Sequence, residues 1–217
     1  MGGPSSRRPI DLICSTELEM RHVQRWLETQ QKSGRAVNVL YGVPLPKSRV
    51  KSLLSFSNAL GTDALTVMID HPAQLDALSD IYLKPRAFIK IDTGAHRAGV
   101  PSSSESKALR ALLKKMKEVQ AAGNVVFHGF YSYPDSYGVS SFKEALDIFG
   151  EELTTLGNVV KVAQEEGLTS GDDKKYVLSV GATPTISVAW MNADPTAQDK
   201  KISALIKQLQ EAGHAVE

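Results

Sequence analysis

Short apolar runs alternate with amphipathic ones from one end of this chain to the other, and that alternation leaves few folds open to it. Residues 11–15, 37–42, 65–70, 87–92, 125–131 and 176–180 read as strands: each is brief, rich in Val, Ile, Leu or Phe, and flanked by turn formers. Residues 17–32, 47–59, 72–78, 104–122, 142–166 and 199–212 carry apolar side chains at helical spacing. Gly34 and Gly123 follow two of these helices and Pro72 opens a third, as stop and start signals should. Thr16 or Ser15 can cap the first helix, and Glu19 is placed to complete a capping box. A succession of βα units predicts an α/β fold with a parallel sheet and helices packed against it.

Six units are two short of a closed (β/α)8 barrel. A sheet lacking two staves has two unpaired edges and an uncovered apolar interior, so self-association or a homo-oligomer is expected. At 217 residues the chain is long enough for one barrel-like domain. We expect a polar, disordered segment over residues 1–8 and the incomplete barrel over residues 9–217. With 25 basic and 24 acidic side chains the net charge is +1, which argues against a nucleic-acid surface and against strong attraction to acidic lipid. No apolar run approaches the length of a membrane span, and Cys14 is the only cysteine, so no internal disulfide is possible and a cytoplasmic location is the expectation.

The segment Lys90-Ile91-Asp92-Thr93-Gly94-Ala95-His96-Arg97-Ala98-Gly99 joins a strand to a glycine-hinged loop. Alternation along the strand puts Phe88, Lys90 and Asp92 on one face and Ala87, Ile89 and Ile91 on the other. A lysine on the inside of such a strand needs a counter-charge, and Asp92 or a neighbouring carboxylate is the simplest partner. Gly94 and Gly99 permit backbone conformations closed to other residues, while His96 and Arg97 supply an imidazole and a permanent planar cation.

This segment resembles the K-x-D-T-G-x-H-R-x-G signature of the D-serine dehydratase and D-threonine aldolase family. Three further segments agree with that family in order: Tyr41-Gly42-Val43-Pro44-Leu45-Pro46-Lys47-Ser48, Gly129-Phe130-Tyr131 followed by Ser136-Tyr137-Gly138, and Ser179-Val180-Gly181-Ala182-Thr183-Pro184-Thr185. The resemblance implies a partial (β/α)8 barrel of the alanine racemase N-terminal type, holding strands two to seven and lacking the first and eighth. Residues 215–217 read as the opening of the eighth, and the chain is expected to be truncated at both ends. The resemblance also implies pyridoxal 5'-phosphate as cofactor, a D-β-hydroxy amino acid as small-molecule partner, and elimination to a keto acid and ammonia.

Arg97, on this resemblance, faces the cofactor ring or the substrate carboxylate. Gly181 and Thr183 meet the phosphate, Tyr137 stands beside the cofactor, able to donate to the phosphate or to stack, Lys90 lies under the cofactor, where a carbamylated lysine is the alternative to an ordinary ion pair, and His96 belongs to the loop of Arg97. The Schiff-base lysine belongs to a basic, histidine-containing first strand, which has no counterpart here, so no catalytic residue is retained; Lys90 and Lys47 are the other lysines near strand ends. The family's zinc ligands lie in the domain after the barrel, so no metal is expected. The segment Ser132-Tyr133-Pro134-Asp135 departs from the family's C-H-A-G-H and should reshape one wall of the site. The expectation is therefore a D-serine dehydratase-like chain that is inactive as it stands. A non-catalytic pyridoxal-phosphate-binding barrel and an interaction protein completed by a partner remain as alternatives.

Overall fold

Parallel pairing organises the molecule. The computed structural model describes residues 8–79, 84–171, 175–185, 187 and 197–216. In chain order the elements are β1 (Ile10–Cys14), α1 (Glu17–Lys32), β2 (Val37–Pro44), α2 (Val50–Leu60), β3 (Leu65–Ile69), α3 (Pro72–Ser79) and β4 (Arg86–Asp92). The short β5 (Val100–Pro101), α4 (Lys107–Ala121), β6 (Val126–Ser132), α5 (Phe142–Glu165), β7 (Val177–Ser179), α6 (Ala197–Glu211) and β8 (Ala215–Val216) follow. The sheet runs β1-β2-β3-β4-β6-β7-β8, every pair parallel, with β5 set against the end of β4. Each crossover advances one place in the same direction, and the sheet curls into an open, partial barrel.

The two faces of the sheet are packed differently, as the alternation in β4 requires. Ala87, Ile89 and Ile91 join the main core with Leu109, Leu112 and Met116 of α4, on the outer, helix-covered side. Phe88 points inward, where it meets Leu40 and Met68, with Tyr131 and Val177 packed against them. Local capping fixes where the first helix starts: the Thr16 hydroxyl accepts from the Glu19 N–H at 3.2 Å, and the Glu19 carboxylate accepts from the Thr16 N–H at 2.9 Å. In α4 the cap is Ser106, whose hydroxyl accepts from the Leu109 N–H at 3.2 Å, so that helix opens three residues later than the periodicity suggests.

One irregularity turns β6 to the needs of the interior. Register slips between Ala87, opposite Phe127, and Phe88, opposite Gly129, so His128 is an extra residue in its strand. The bulge lets Phe127 and Phe130 both enter the outer core while His128 and Tyr131 both face Phe88, at ring separations of 5.0 and 6.3 Å. Gly129 is obligatory there, since a Cβ would lie 1.9 Å from the Val177 carbonyl oxygen of β7.

Two expectations about the ends need correction or fall outside view. Residues 215–216 are not an interrupted eighth strand but a short paired one: Ala215 lies opposite Val177 and Val216 opposite Leu178. The Ala215 N–H donates to the Tyr176 carbonyl at 3.0 Å and the His214 ring stacks on Tyr176 at 5.2 Å, which brings the chain leaving α6 alongside β7. The path therefore counts seven staves rather than six. Residues 1–7 and Glu217 lie outside the described residues; the Arg8 carbonyl accepts from the Arg35 guanidinium at 3.0 and 3.1 Å. Among the described residues β1 is paired on one side only, and Ile13 on it is 59% exposed.

Candidate ligand cleft at the strand carboxyl ends

The carboxyl ends of β1, β2, β4 and β6 converge on a cleft of about 460 Å³. Its polar walls come from Ser15, Lys90, Arg97, Tyr131 and Tyr133, and its apolar floor includes Ile13, Val43 and Pro44. Lys90 reaches it because of strand alternation, Tyr131 because of the β6 bulge, and Arg97 because of the loop after β4.

That loop is folded around a carboxylate. Asp92 Oδ1 accepts from the N–H groups of Gly94 and His96, each at 3.0 Å, and Oδ2 pairs with the His96 ring Nδ1 at 2.9 Å. Burial raises the Asp92 pKa, but the His96 and Gly94 hydrogen bonds outweigh it and hold the carboxyl below its usual range. A second carboxylate closes the loop, the Gly99 N–H donating to Asp70 Oδ2 at 3.1 Å. Gly99 has φ +114° and no room for a Cβ, which would meet the Asp92 nitrogen at 2.6 Å. His96 itself adopts φ +50°, and its side chain is 83% exposed, so it braces the loop on Asp92 and does not line the cleft.

With Asp92 committed to the loop, the expected ion pair to Lys90 is not made. Lys90 is half-buried, its Nζ lies 5.0 Å from the Tyr131 ring centre, and no described carboxylate closes an ion pair with it. Burial, and then the charge of Arg97, push its pKa down; Asp70, Asp92 and Glu152 pull the other way from a distance. Arg97 lies with its guanidinium carbon 5.5 Å from the Tyr133 ring centre, likewise with no described carboxylate in contact. Two buried hydroxyl oxygens without partners, Thr93 Oγ1 and Ser136 Oγ, belong to the loops carrying Arg97 and Tyr137.

The remaining sequence candidates do not converge on this cleft. Tyr137 is 68% exposed and shares a hydrogen bond with the Tyr133 hydroxyl. That bond, reinforced by burial, pushes the Tyr133 pKa up to about 12. Thr183 is exposed, and Thr185 folds back to bond Ala182, its hydroxyl 2.9 Å from both the Ala182 nitrogen and carbonyl oxygen. Gly181 (φ +96°) carries its N–H toward a group the sequence reading missed: both carboxylate oxygens of Glu152, each at 3.0 Å.

Glu152 is 1% exposed, and its Oε1 also accepts from the Ser132 hydroxyl at 2.5 Å. Burial pushes its pKa up, against the Gly181 and Ser132 hydrogen bonds and the charge of Lys90. The signal for it was present: Glu152 follows Phe149 by three residues and precedes Leu156 by four, a core position of α5 occupied by a charge. Pyridoxal phosphate, which the resemblance implies, fits this arrangement on one side only. The Lys90 and Arg97 side of the cleft suits an anionic ligand, but the turn after β7 does not offer its Gly181 N–H to a phosphate, because a carboxylate already holds it. Among the described residues no three His, Cys, Asp or Glu side chains are grouped as a metal site would require, and no helix is long and apolar enough to cross a membrane.

Comparison with known proteins agrees with the barrel architecture. Residues 54–163 match the alanine racemase N-terminal domain family. The D-serine dehydratase of Schizosaccharomyces pombe is 34% identical over 161 residues, covering 70% of this chain and 36% of that protein. The D-serine dehydratase of Saccharomyces cerevisiae is 33% identical over 191 residues, covering 85% of this chain and 44% of that protein. The chain thus spans less than half the length of these relatives. Among solved structures, D-threo-3-hydroxyaspartate dehydratase from Delftia sp. HT23 superposes with a TM-score of 0.59 at 17% identity, covering 83% of this chain and 49% of that one. A parallel barrel arc with its cleft at the strand ends, matched in sequence over half its length, makes this chain a member of the alanine racemase N-terminal domain family.

Proposed function

We propose that this chain is the ligand-facing barrel segment of a D-serine dehydratase-like protein, that its cleft receives the carboxylate of a small D-amino acid, and that the chain as given does not itself eliminate ammonia. One observation carries the reading: Lys90 and Arg97 both border the cleft at the strand ends, and neither has a carboxylate partner among the described residues. Lys90 is half-buried without a counter-charge, which is costly, and an incoming carboxylate relieves it; Arg97 is exposed at the rim of the cleft, open to such a ligand. Arg97 is suited to the task by its permanent charge and planar fork, which can donate two parallel hydrogen bonds to a carboxylate. Lys90 supplies the second positive charge, and the Tyr131 ring beneath it shields that charge from water.

The family implies pyridoxal phosphate chemistry, and a cytoplasmic site of action belongs to the same proposal. The turn after β7 does not present a free phosphate cradle to that cofactor, since Glu152 holds the Gly181 N–H. What this chain's own residues supply is placement: Asp92 and Asp70 fix the loop, the loop fixes Arg97, and the β6 bulge fixes Tyr131 against Lys90.

Calorimetric titration of the purified chain with D-serine and L-serine, beside an assay for keto acid and ammonia, tests the proposal. D-Serine should bind, Arg97→Ala should weaken that binding by about tenfold or more through loss of a charge-assisted pair, and no turnover should be seen. Unchanged affinity in Arg97→Ala, or steady release of keto acid and ammonia by the wild-type chain, would overturn it.

A further inference from the structure

The turn after β7 is built to hold an anion, and the anion it holds is part of the protein. Glu152 occupies a core position of α5, between Phe149 and Leu156, where an apolar side chain would pack without cost. A carboxylate there must find hydrogen bonds, and among the described residues it finds them in two places: the Gly181 N–H, shared by both oxygens at 3.0 Å, and the Ser132 hydroxyl at 2.5 Å. Ser132 ends β6, Gly181 follows β7, and the nearest opposing charge is Lys90 at the cleft. The carboxylate therefore ties α5 to the ends of two staves, β6 and β7, and holds the backbone N–H that the family resemblance gives to a ligand's phosphate.

We propose that Glu152 is an internal anion that fills the strand-seven turn, so that a ligand seated at the strand ends gains no hold there from a phosphate group and its unphosphorylated counterpart binds equally well. The proposal rests on the cleft being a ligand site. Gly181 has a single hydrogen to donate, and both Glu152 oxygens already share it. A phosphate arriving at this turn meets a buried negative charge at close range, with little water between to screen it. Glutamine in the same place has the same shape, offers Gly181 a neutral acceptor, and presents no charge to the phosphate.

The test uses the full chain and pyridoxine and pyridoxine 5'-phosphate, which carry an alcohol where the cofactor has an aldehyde and so do not react with surface lysines. Titrations of wild type, Glu152→Gln, Glu152→Met and Ser132→Ala are compared, each also with inorganic phosphate. Wild type should show no preference for the phosphorylated compound. Glu152→Gln should favour it by about tenfold or more while pyridoxine binding stays unchanged, because only the phosphate senses the charge. Ser132→Ala, which keeps the charge, should behave as wild type does; Glu152→Met, which removes the charge at similar size, should shift as Glu152→Gln does and decides the matter if that variant fails to fold. If neither pyridoxine compound binds any protein but Glu152→Gln alone binds inorganic phosphate, the cleft reading fails and the role of Glu152 stands. Any result in which Glu152→Gln and wild type treat phosphate alike, absence of binding included, overturns the role of Glu152.

Discussion

Replacing Asp92 should loosen the loop that carries Arg97, and the size of the effect follows from which oxygen holds what. Oδ1 accepts two backbone N–H groups at 3.0 Å, while Oδ2 meets the His96 ring at 2.9 Å. The imidazole is 83% exposed and regains water when the contact is lost, so its bond contributes little. The two backbone bonds contribute about 1 kcal/mol each, the usual net value for a hydrogen bond. Asp92→Ala should therefore cost about 2 kcal/mol, whereas Asp92→Asn, whose Oδ1 still accepts both N–H groups, should cost about 1 kcal/mol or less. In urea, with a slope of about 2 kcal/mol per molar, the alanine variant's midpoint should fall by about 1 M. The pH dependence has a definite sign. The folded-state pKa of Asp92 is depressed, so its contribution is fully present above the unfolded value of about 3.9 and is lost as pH falls through the folded value. The gap between wild type and Asp92→Asn should accordingly close in acid. Equal losses for alanine and asparagine, an alanine cost under about 0.5 kcal/mol, or a gap unchanged in acid would each refute the reasoning.

Two other substitutions probe the frame. Gly129→Ala should cost more than about 4 kcal/mol or prevent folding, since its Cβ would fall 1.9 Å from the Val177 carbonyl; expression followed by circular dichroism reads this directly. Tyr137→Phe removes the hydrogen bond that leads the causes holding Tyr133 up at about 12, so ultraviolet titration should show that phenol ionising at lower pH than in the wild-type chain.

The fold was legible because it rests on periodicity and end signals, both of which are local. Glu17–Lys32 emerges as read, and its cap and capping box fall on Thr16 and Glu19. The β4 alternation sorts Ile89 from Phe88 correctly because the two faces of that strand meet different neighbours. β8 was misjudged because a strand of two residues has no period; what pairs it is its neighbour, through Tyr176 and His214. The site was less legible, because its contacts join residues far apart in sequence. Lys90 and Arg97 stand out as cations at a strand end, but Asp92 could be assigned to the loop rather than to Lys90 only once the loop's N–H groups were placed. Glu152 bonds Gly181 across 29 residues, and a sequence shows such a pair only as an unexplained charge in an apolar stripe.

The claim that matters most is that the space between Lys90, Arg97 and Tyr131 is where this chain meets its ligand. A crystal of the wild-type chain soaked with D-serine tests that most directly. The account predicts the amino acid within the cleft, its carboxylate against the Arg97 guanidinium and the Lys90 ammonium, with Glu152 still bonded to Gly181. A ligand bound elsewhere, or one whose carboxylate displaces Glu152 from the Gly181 turn and leaves Arg97 untouched, would contradict it.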